Sequence, residues 1–201
     1  MSDRTQLWRM APTELAPHED ALTRFQAELE RAGGSSVSVG PGELVGEITA
    51  TLAAAGAHRI ALTADLGDAR PVIAQALEIA RYDVVDYDAV ADDRAAVRDL
   101  DATVTGCLAA VAATGSIVTG ATGAGRAGAL VAPIHVCVVE TRRLVDGLAS
   151  LMRLAPRLGA GSMMALQTGP SRTADIEKTL IVGVHGPKRV HVVLLDGVLA
   201  D

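Results

Sequence analysis

Hydrophobic residues recur at helical spacing in several stretches of the chain. In residues 19–31 the apolar positions are Leu22, Phe25 and Leu29, and a pair of glycines follows as a stop signal. The same periodicity, with its starts and stops marked by Pro and Gly, predicts further helices. These cover residues 43–55, 71–80, 92–99 and 144–154.

Short apolar runs separate these helices and predict buried strands. The runs cover residues 59–63, 82–87, 116–119, 134–139, 163–167 and 190–195. Strands that alternate with helices are typical of parallel strands joined by crossover helices. The sequence therefore predicts a single α/β domain with a mostly parallel sheet and flanking helices. We expect the domain to cover residues 19–201, with residues 1–18 as a loosely ordered N-terminal arm.

Composition favours a protein that binds a small molecule or another protein. The 201 residues are 49% hydrophobic, and the aromatic residues number only four, so the core is expected to be aliphatic. A formal net charge of -6 argues against binding to nucleic acid or to an anionic membrane, since both require concentrated Lys and Arg.

The uncharged stretch 102–125 is long enough to test for a membrane span. Threonines and glycines interrupt it, so it is better explained as a central strand buried on both faces. The first ten residues contain charges and no apolar segment typical of a secretory signal. We therefore expect a cytoplasmic protein without membrane insertion.

The two cysteines, Cys107 and Cys137, lie far apart in apolar stretches and form no CxxC pair. This pattern argues against a zinc ribbon or an iron–sulfur cluster, and it favours free buried thiols. The five histidines share no spacing with one another or with acidic residues, so no metal site is predicted. We expect this chain to bind no cofactor.

Residues 123–128 match the glycine pattern GxGxxG after the strand predicted at 116–119. A dinucleotide-binding loop must open a crossover helix, with an acidic residue about twenty positions further on. Pro133 and the next predicted strand follow so soon that no helix is expected there. The segment is better explained as a Gly-rich loop in which Arg126 is available to an anion.

A second polar segment, Gly169-Pro170-Ser171-Arg172-Thr173, follows the strand predicted at 163–167. The next residues have a helical pattern, so free backbone N–H groups, hydroxyls and the guanidinium are expected to converge on a phosphate or carboxylate. An ordinary helix cap, with Asp175 and Glu177 in the first turn, explains the same pattern. Both explanations remain open at this point.

His185 lies in a Gly-rich turn before the last predicted strand. Its imidazole is suited to acid or base catalysis near neutral pH, but a hydrogen-bonded turn residue is the simpler explanation.

Residues 168–177, the Gly-Val-His-Gly-Pro turn at 183–187 and the apolar run at 190–195 together resemble the C-terminal signature of the lactate-utilisation protein C family, also called the LUD domain family. Residues 104–106, 112–118, 125–126 and 133 resemble its middle block. The resemblance covers most of the chain after about Phe25. It implies a fold like those of ribose-5-phosphate isomerase, glucosamine-6-phosphate deaminase and the CoA transferases.

The resemblance also implies a three-protein system that oxidises L-lactate to pyruvate. Two partner proteins carry its iron–sulfur clusters, and this chain would be the component without clusters, binding a small anionic ligand. Relatives commonly place a carboxylate where this chain has Ala113, and often a serine after the Gly-Arg pair, where this chain has an altered stretch at 127–129.

The missing carboxylate leaves two alternative functions open. One is a stand-alone isomerase or transferase acting on a phosphorylated or CoA-linked substrate, and the other is a scaffold with a vestigial pocket. No residue is assigned a catalytic role. The candidate ligand-binding residues are Gly115, Ser116, Arg126, Gly169, Pro170, Ser171, Arg172, Thr173, Asp175, Glu177 and His185.

Overall fold

The structure is a computed structural model that describes residues 20–120, 125–159, 161, 163–174, 180–182 and 186–197. For residues 125–127, 172–174 and 180–182 it describes the backbone alone. The expected N-terminal arm, residues 1–18, lies outside the described residues.

Six parallel strands form the main sheet, in the order β1-β12-β7-β4-β2-β3. The central strands β2, β7 and β12 are rich in Val, Ile and Leu, which suits strands that are covered on both faces. The α/β class and the parallel sheet predicted from the sequence are therefore confirmed. The strands are β1 (Ser35–Val39), β2 (Arg59–Leu62), β3 (Asp83–Asp86), β4 (Ala102–Thr105), β7 (Ile134–Glu140) and β12 (Arg189–Leu195).

Helices cover both faces of this sheet. One face packs under Leu44, Ile48 and Leu52 of α2 and under Ile73 and Leu77 of α3, all of which are fully buried. The other face meets Phe25 and Leu29 of α1. The helices are α1 (Ala21–Arg31), α2 (Leu44–Ala54), α3 (Ala69–Ile79), α4 (Tyr87–Val90), α5 (Arg94–Arg98), α6 (Gly125–Val131) and α7 (Leu148–Leu154).

A second, smaller sheet packs on the α1 side, with the strand order β8-β5-β6-β9. Its β5–β6 and β6–β9 pairs are antiparallel, and its β5–β8 pair is parallel. A further antiparallel pair joins β10 and β11. These strands are β5 (Ala109–Val111), β6 (Ser116–Gly120), β8 (Leu144–Val145), β9 (Met164–Gln167), β10 (Arg172–Ala174) and β11 (Leu180–Val182).

This smaller sheet corrects two predictions. The uncharged stretch 102–125 is not one central strand, because it supplies β4 to the main sheet and then β5 and β6 to the smaller one. The helix expected from residue 144 begins only at Leu148, because the first two residues pair with β5 as strand β8. Apolar runs alone do not distinguish a buried strand from the start of a buried helix.

Two further predictions about helices are wrong. Thr173 does not begin a helix, because Arg172–Ala174 pairs with Leu180–Val182 as strand β10. The cross-strand hydrogen bonds of this pair satisfy the backbone groups that a helix cap would have served. A helix, Gly125–Val131, does begin within the Gly-rich segment, where none was expected. Its alanines and leucine favour a helix that is short enough to end before Pro133.

Cys107 and Cys137 are buried and free, as predicted. Burial raises the pKa of the Cys137 thiol well above its usual range, so the thiol stays protonated at neutral pH. Within the described part of the chain, no helix has the length and apolar character needed to cross a membrane.

Candidate functional site

A cavity of about 160 Å³ opens at the carboxyl ends of β2, β4 and β7. Ligands of open α/β sheets bind at this edge, because the loops that leave the strands there surround a crevice. The polar groups that line the cavity come from three different loops. They are Asp65, Asp68, Gly106, Cys107, Glu140, Arg142 and Arg143.

The Asp65 carboxylate is held by donors from two of these loops. Buried Thr63, directly after β2, donates its hydroxyl to Asp65 Oδ1, and the Gly106 N–H donates to the same oxygen at 3.0 Å. A side chain at Gly106 would bring its Cβ within 2.2 Å of the Asp65 carbonyl oxygen. The close contact between the two loops therefore requires glycine at this position, and it fixes the carboxylate at the cavity.

Glu140, the last residue of β7, lies between two guanidinium groups. Arg143 Nη2 lies 2.6 Å from Glu140 Oε1, and Arg142 pairs with Oε2. Arg143 also donates to the Cys107 carbonyl oxygen at 2.6 Å. Glu140 and Arg143 expose only 19% and 16% of their side chains, so solvent screens this cluster less than a surface pair. With two cations around one anion, this cluster has an excess of positive charge on one side of the cavity, while Asp65 and Asp68 supply negative charge elsewhere on its wall.

This arrangement suits a small ligand that has both a carboxylate and a hydroxyl group. Guanidinium groups bind carboxylates with charge-assisted hydrogen bonds, and the Asp65 carboxylate can accept a hydrogen bond from a ligand hydroxyl. Among the residues that the structure describes, no group of three side chains could hold a metal ion.

The model of the LUD domain family matches residues 22–195 of this chain. The chain belongs to the LUD domain family. Lactate utilization protein C of Deinococcus radiodurans is 32% identical over 142 residues, which cover 67% of each protein. Lactate utilization protein C of Bacillus pumilus is 38% identical over 66 residues, which cover 30% of this chain and 27% of that one.

A solved structure has a similar fold. The crystal structure of a DUF162 family protein from Deinococcus radiodurans superposes with a TM-score of 0.66 at 24% identity, covering 89% of this chain and 97% of that one. The family resemblance deduced from the motifs is therefore confirmed, together with the fold class.

The loop of residues 169–173, which the sequence pattern singled out, lies at the amino ends of the parallel strands, on the opposite edge of the main sheet from the cavity. Gly169 has a φ of +67° and packs so closely that a Cβ there would lie 2.6 Å from the Ala32 carbonyl oxygen, just before β1. The Ser171 N–H donates to the Pro187 carbonyl at 2.9 Å, just before β12. One of the N–H groups expected to face an anion is thus already paired.

The structure brings Gly115 and Ser116 to this same loop. Strands β6 and β9 are antiparallel, so the start of β6 lies beside the end of β9. The Ser116 hydroxyl lies 2.7 Å from that of Thr114 and also contacts that of Thr168, next to Gly169. These hydroxyls therefore form one polar cluster beside the end of α1.

The other predicted residues are placed only in part. Arg126 lies in α6, and Arg172 and Thr173 lie in β10, with the backbone described in each case. Pro170 is half-buried beside Ser171. Three candidates, Asp175, Glu177 and His185, lie outside the described residues.

The residues of the cavity at the carboxyl ends of β2, β4 and β7, called the carboxyl-edge cavity below, were not predicted from the sequence. Asp65 and Glu140 stand at or just beyond the ends of apolar runs that were predicted as parallel strands, so that position was the available signal. Ala113, the position where the resemblance implied a carboxylate in relatives, is not among the residues that line the cavity.

Proposed function

We propose that this chain is the component without iron–sulfur clusters of a three-protein system that oxidises L-lactate to pyruvate. Its role would be to bind the 2-hydroxy acid or its 2-oxo product. The family match and the names of two relatives, both called Lactate utilization protein C, support a role in lactate utilisation. Partner proteins that carry iron–sulfur clusters would accept the electrons.

We place the ligand in the carboxyl-edge cavity, because cationic groups and a positioned carboxylate meet there. Arg142 and Arg143 would bind the ligand carboxylate, and Asp65 would accept a hydrogen bond from the 2-hydroxyl group. The observation that carries this proposal is the pair of guanidiniums around Glu140, beside Asp65. This chain would thus select and orient the acid.

Calorimetric titration with L-lactate and pyruvate tests the proposal. Arg142→Gln removes one charge-assisted interaction, so we expect the affinity to fall about tenfold to a hundredfold. Arg153→Gln, on α7, is the matched control and should leave the affinity unchanged, because Arg153 does not line the cavity. Equal affinities in Arg142→Gln and the unsubstituted protein would contradict the cavity as the site.

The loop of Ser171, Arg172 and Thr173 gives a competing location for the same ligand. If that loop binds the anion, Arg172→Lys should weaken binding by a similar factor, because Lys lacks the planar fork of guanidinium donors. Arg142→Gln would then have no effect. Titration with inorganic phosphate and with CoA tests the alternative function. Binding of either would favour an isomerase or transferase, and binding of L-lactate or pyruvate alone would favour the role in lactate oxidation.

We also expect the purified protein to carry no iron, flavin or zinc. Two cysteines cannot supply the four thiolates of a typical cluster, and the Gly-rich segment follows a strand of the smaller sheet and not one of the parallel sheet. Metal analysis and an absorption spectrum test this. Stoichiometric iron or a flavin band would contradict it.

A further inference from the structure

A hydroxyl, an imidazole and a carboxylate lie in a row at the amino edge of the main sheet. The Ser35 hydroxyl lies 2.8 Å from Nδ1 of His191. On the far side of the ring, Nε2 lies 3.2 Å from Glu47 Oε1. Thr51 donates its hydroxyl to the same carboxylate oxygen at 3.2 Å.

The fold explains why these groups meet. Ser35 begins the edge strand β1 and pairs in register with His191 of β12, so both side chains point to the same face. Helix α2 packs on that face and brings Glu47 and Thr51, one turn apart, over the imidazole. Ser35 itself is exposed, whereas His191 exposes only 16% of its side chain.

The protonation state suits a general base. Burial lowers the pKa of His191 below its usual 6.5, although Glu47 opposes this effect. The ring is therefore mainly neutral at pH 7, and Nδ1 can accept the hydroxyl proton of Ser35 while Nε2 carries its hydrogen towards Glu47. Nε2 and the carboxylate are within ion-pair distance but are not aligned as a hydrogen bond. Such contacts tighten in many enzymes once a substrate is bound.

The row opens into a second cavity of about 290 Å³. Ser35, Thr51 and His191 line it together with Lys188 and Arg189, and it shares no lining residue with the carboxyl-edge cavity. The two cations would attract an anionic ligand and stabilise negative charge that develops beside the Ser35 hydroxyl.

We propose that Ser35, His191 and Glu47 form a second site, in which Ser35 is a nucleophile toward carboxylic esters that carry a negative charge. Ser35 Oγ forms a bond to the ester carbonyl carbon, and its proton passes to Nδ1 of His191. The alcohol leaves with that proton, which gives an acyl-serine. Water then attacks the acyl group by the same proton route and releases the acid, so that no oxidant or reductant is needed.

A purely structural role is the alternative. A serine and a histidine in register on neighbouring strands can simply cross-link the edge strand. That role predicts a drop in stability when either residue is replaced, but it predicts no chemical reactivity at Ser35. Reactivity of one hydroxyl among several therefore separates the two explanations.

Labelling with diisopropyl fluorophosphate, mapped by mass spectrometry, is the first test. We expect the unsubstituted full-length chain to be labelled at Ser35, with at least tenfold slower labelling in His191→Gln. Ser38→Ala is the control, because Ser38 is an exposed serine of β1 on the other face, and it should leave the rate unchanged. No label at Ser35 in the unsubstituted protein would overturn the proposal without relying on a variant that must fold.

The charge of the substrate is the second test. We expect the kcat/KM for p-nitrophenyl hydrogen succinate to exceed that for p-nitrophenyl acetate by about tenfold, with the preference reduced in Lys188→Gln. Loss of both activities in Ser35→Ala, with an unchanged melting curve, would support the nucleophile. Equal rates in Ser35→Ala and the unsubstituted protein would overturn it.

Discussion

The polar clusters beside the two cavities, one at each edge of the parallel sheet, carry different kinds of chemistry. At the carboxyl edge, carboxylates and guanidiniums contact one another directly, as in the cluster of Glu140, Arg142 and Arg143. At the amino edge, the imidazole of His191 lies between a hydroxyl and a carboxylate. Carboxylates and guanidiniums stay ionised at neutral pH, whereas histidine titrates close to it. Mild acid should therefore change the charge of the cluster at the amino edge and leave the charge of the cluster at the carboxyl edge unchanged.

The loops at the two edges also differ in how their backbones are used. At the amino edge, the N–H groups of Ser171, Lys188 and Arg189 all donate to backbone carbonyls of neighbouring loops. At the carboxyl edge, the Gly106 N–H donates to a side chain, the Asp65 carboxylate that lines the cavity. The N–H groups of His58 and Arg59 at the amino edge also donate to a side chain, the Asp101 carboxylate, but Asp101 lines neither cavity. The carboxyl edge differs because the carboxylate that joins its loops also lines a cavity.

The largest change in stability is expected from His135, the second residue of β7, close to the amino edge of the main sheet. The ring is fully buried, Nε2 lies 2.8 Å from the Thr105 hydroxyl, and Nδ1 has no hydrogen-bond partner. Burial lowers the pKa of His135 from 6.5 to about 4, although Gln167 opposes this. Between pH 6.5 and about 4, the imidazole of His135 is therefore protonated in the unfolded chain but not in the folded chain. The folded state thus loses stability as the pH falls through this range.

The loss should reach about 3 kcal/mol and level off below pH 4. Urea unfolding across this range measures it. In His135→Gln the slope attributable to this residue should disappear, while His58→Gln, at an exposed position, should keep it. A pH profile in His135→Gln that is identical to that of the unsubstituted protein would contradict the assignment.

The second prediction concerns the contact between the loops of the carboxyl edge. Gly106→Ala would place a Cβ 2.2 Å from the Asp65 carbonyl oxygen, so the backbone must shift, at a cost of about 2 kcal/mol. Gly46→Ala is the matched control, because that helical glycine has open space, and it should raise stability by about 0.5–1 kcal/mol. Melting temperatures that are higher, or lower, than that of the unsubstituted protein in both variants would contradict this account.

The third prediction changes the charge balance of the cavity. Glu140→Gln removes the anion that both guanidiniums contact, so stability should fall by about 1 kcal/mol. If the cavity binds the ligand, affinity for L-lactate should rise several-fold, because Arg142 and Arg143 then lack a competing carboxylate. Calorimetry and denaturant unfolding give the two values. Lower stability with unchanged affinity for L-lactate would mean that the ligand does not bind at the carboxyl edge.

Four strands of the main sheet, β2, β3, β7 and β12, could be predicted because each is a short apolar run between helices with clear stop signals. Strand β4 was predicted only as part of a longer strand, and β1 was not predicted, because three of its five residues are serines. Helix α1 could also be predicted, since Phe25 and Leu29 are both buried where the periodicity placed them. The smaller sheet could not be predicted in the same way. Whether residues 144–145 continue a helix or pair with β5 depends on a partner strand that local pattern does not reveal.

The candidate site could not be predicted for the same reason, because local sequence pattern does not reveal which strands pair or in which direction they run. The loop after β9 was expected to face a ligand because it follows a strand, but β9 runs antiparallel in the smaller sheet. The carboxyl-end rule applies only to parallel strands, so the direction of the strand decides which loops it concerns. Asp65 and Glu140 satisfy that rule, because they follow or end strands that pair in parallel. They can be recognised as candidates only once the strand pairing is known.

The last prediction concerns the pair of Glu47 and His191 at the amino edge. Glu47 raises the pKa of His191 against the larger effect of burial, so Glu47→Gln should lower the pKa of His191 further. Stability should change by less than about 1 kcal/mol, because this pair is partly exposed. An NMR titration of the imidazole protons measures the pKa, with Glu43→Gln, directly before α2, as the control. A rise, or no change, would mean that the carboxylate does not act on the ring, and His191 would then serve Ser35 without an orienting partner.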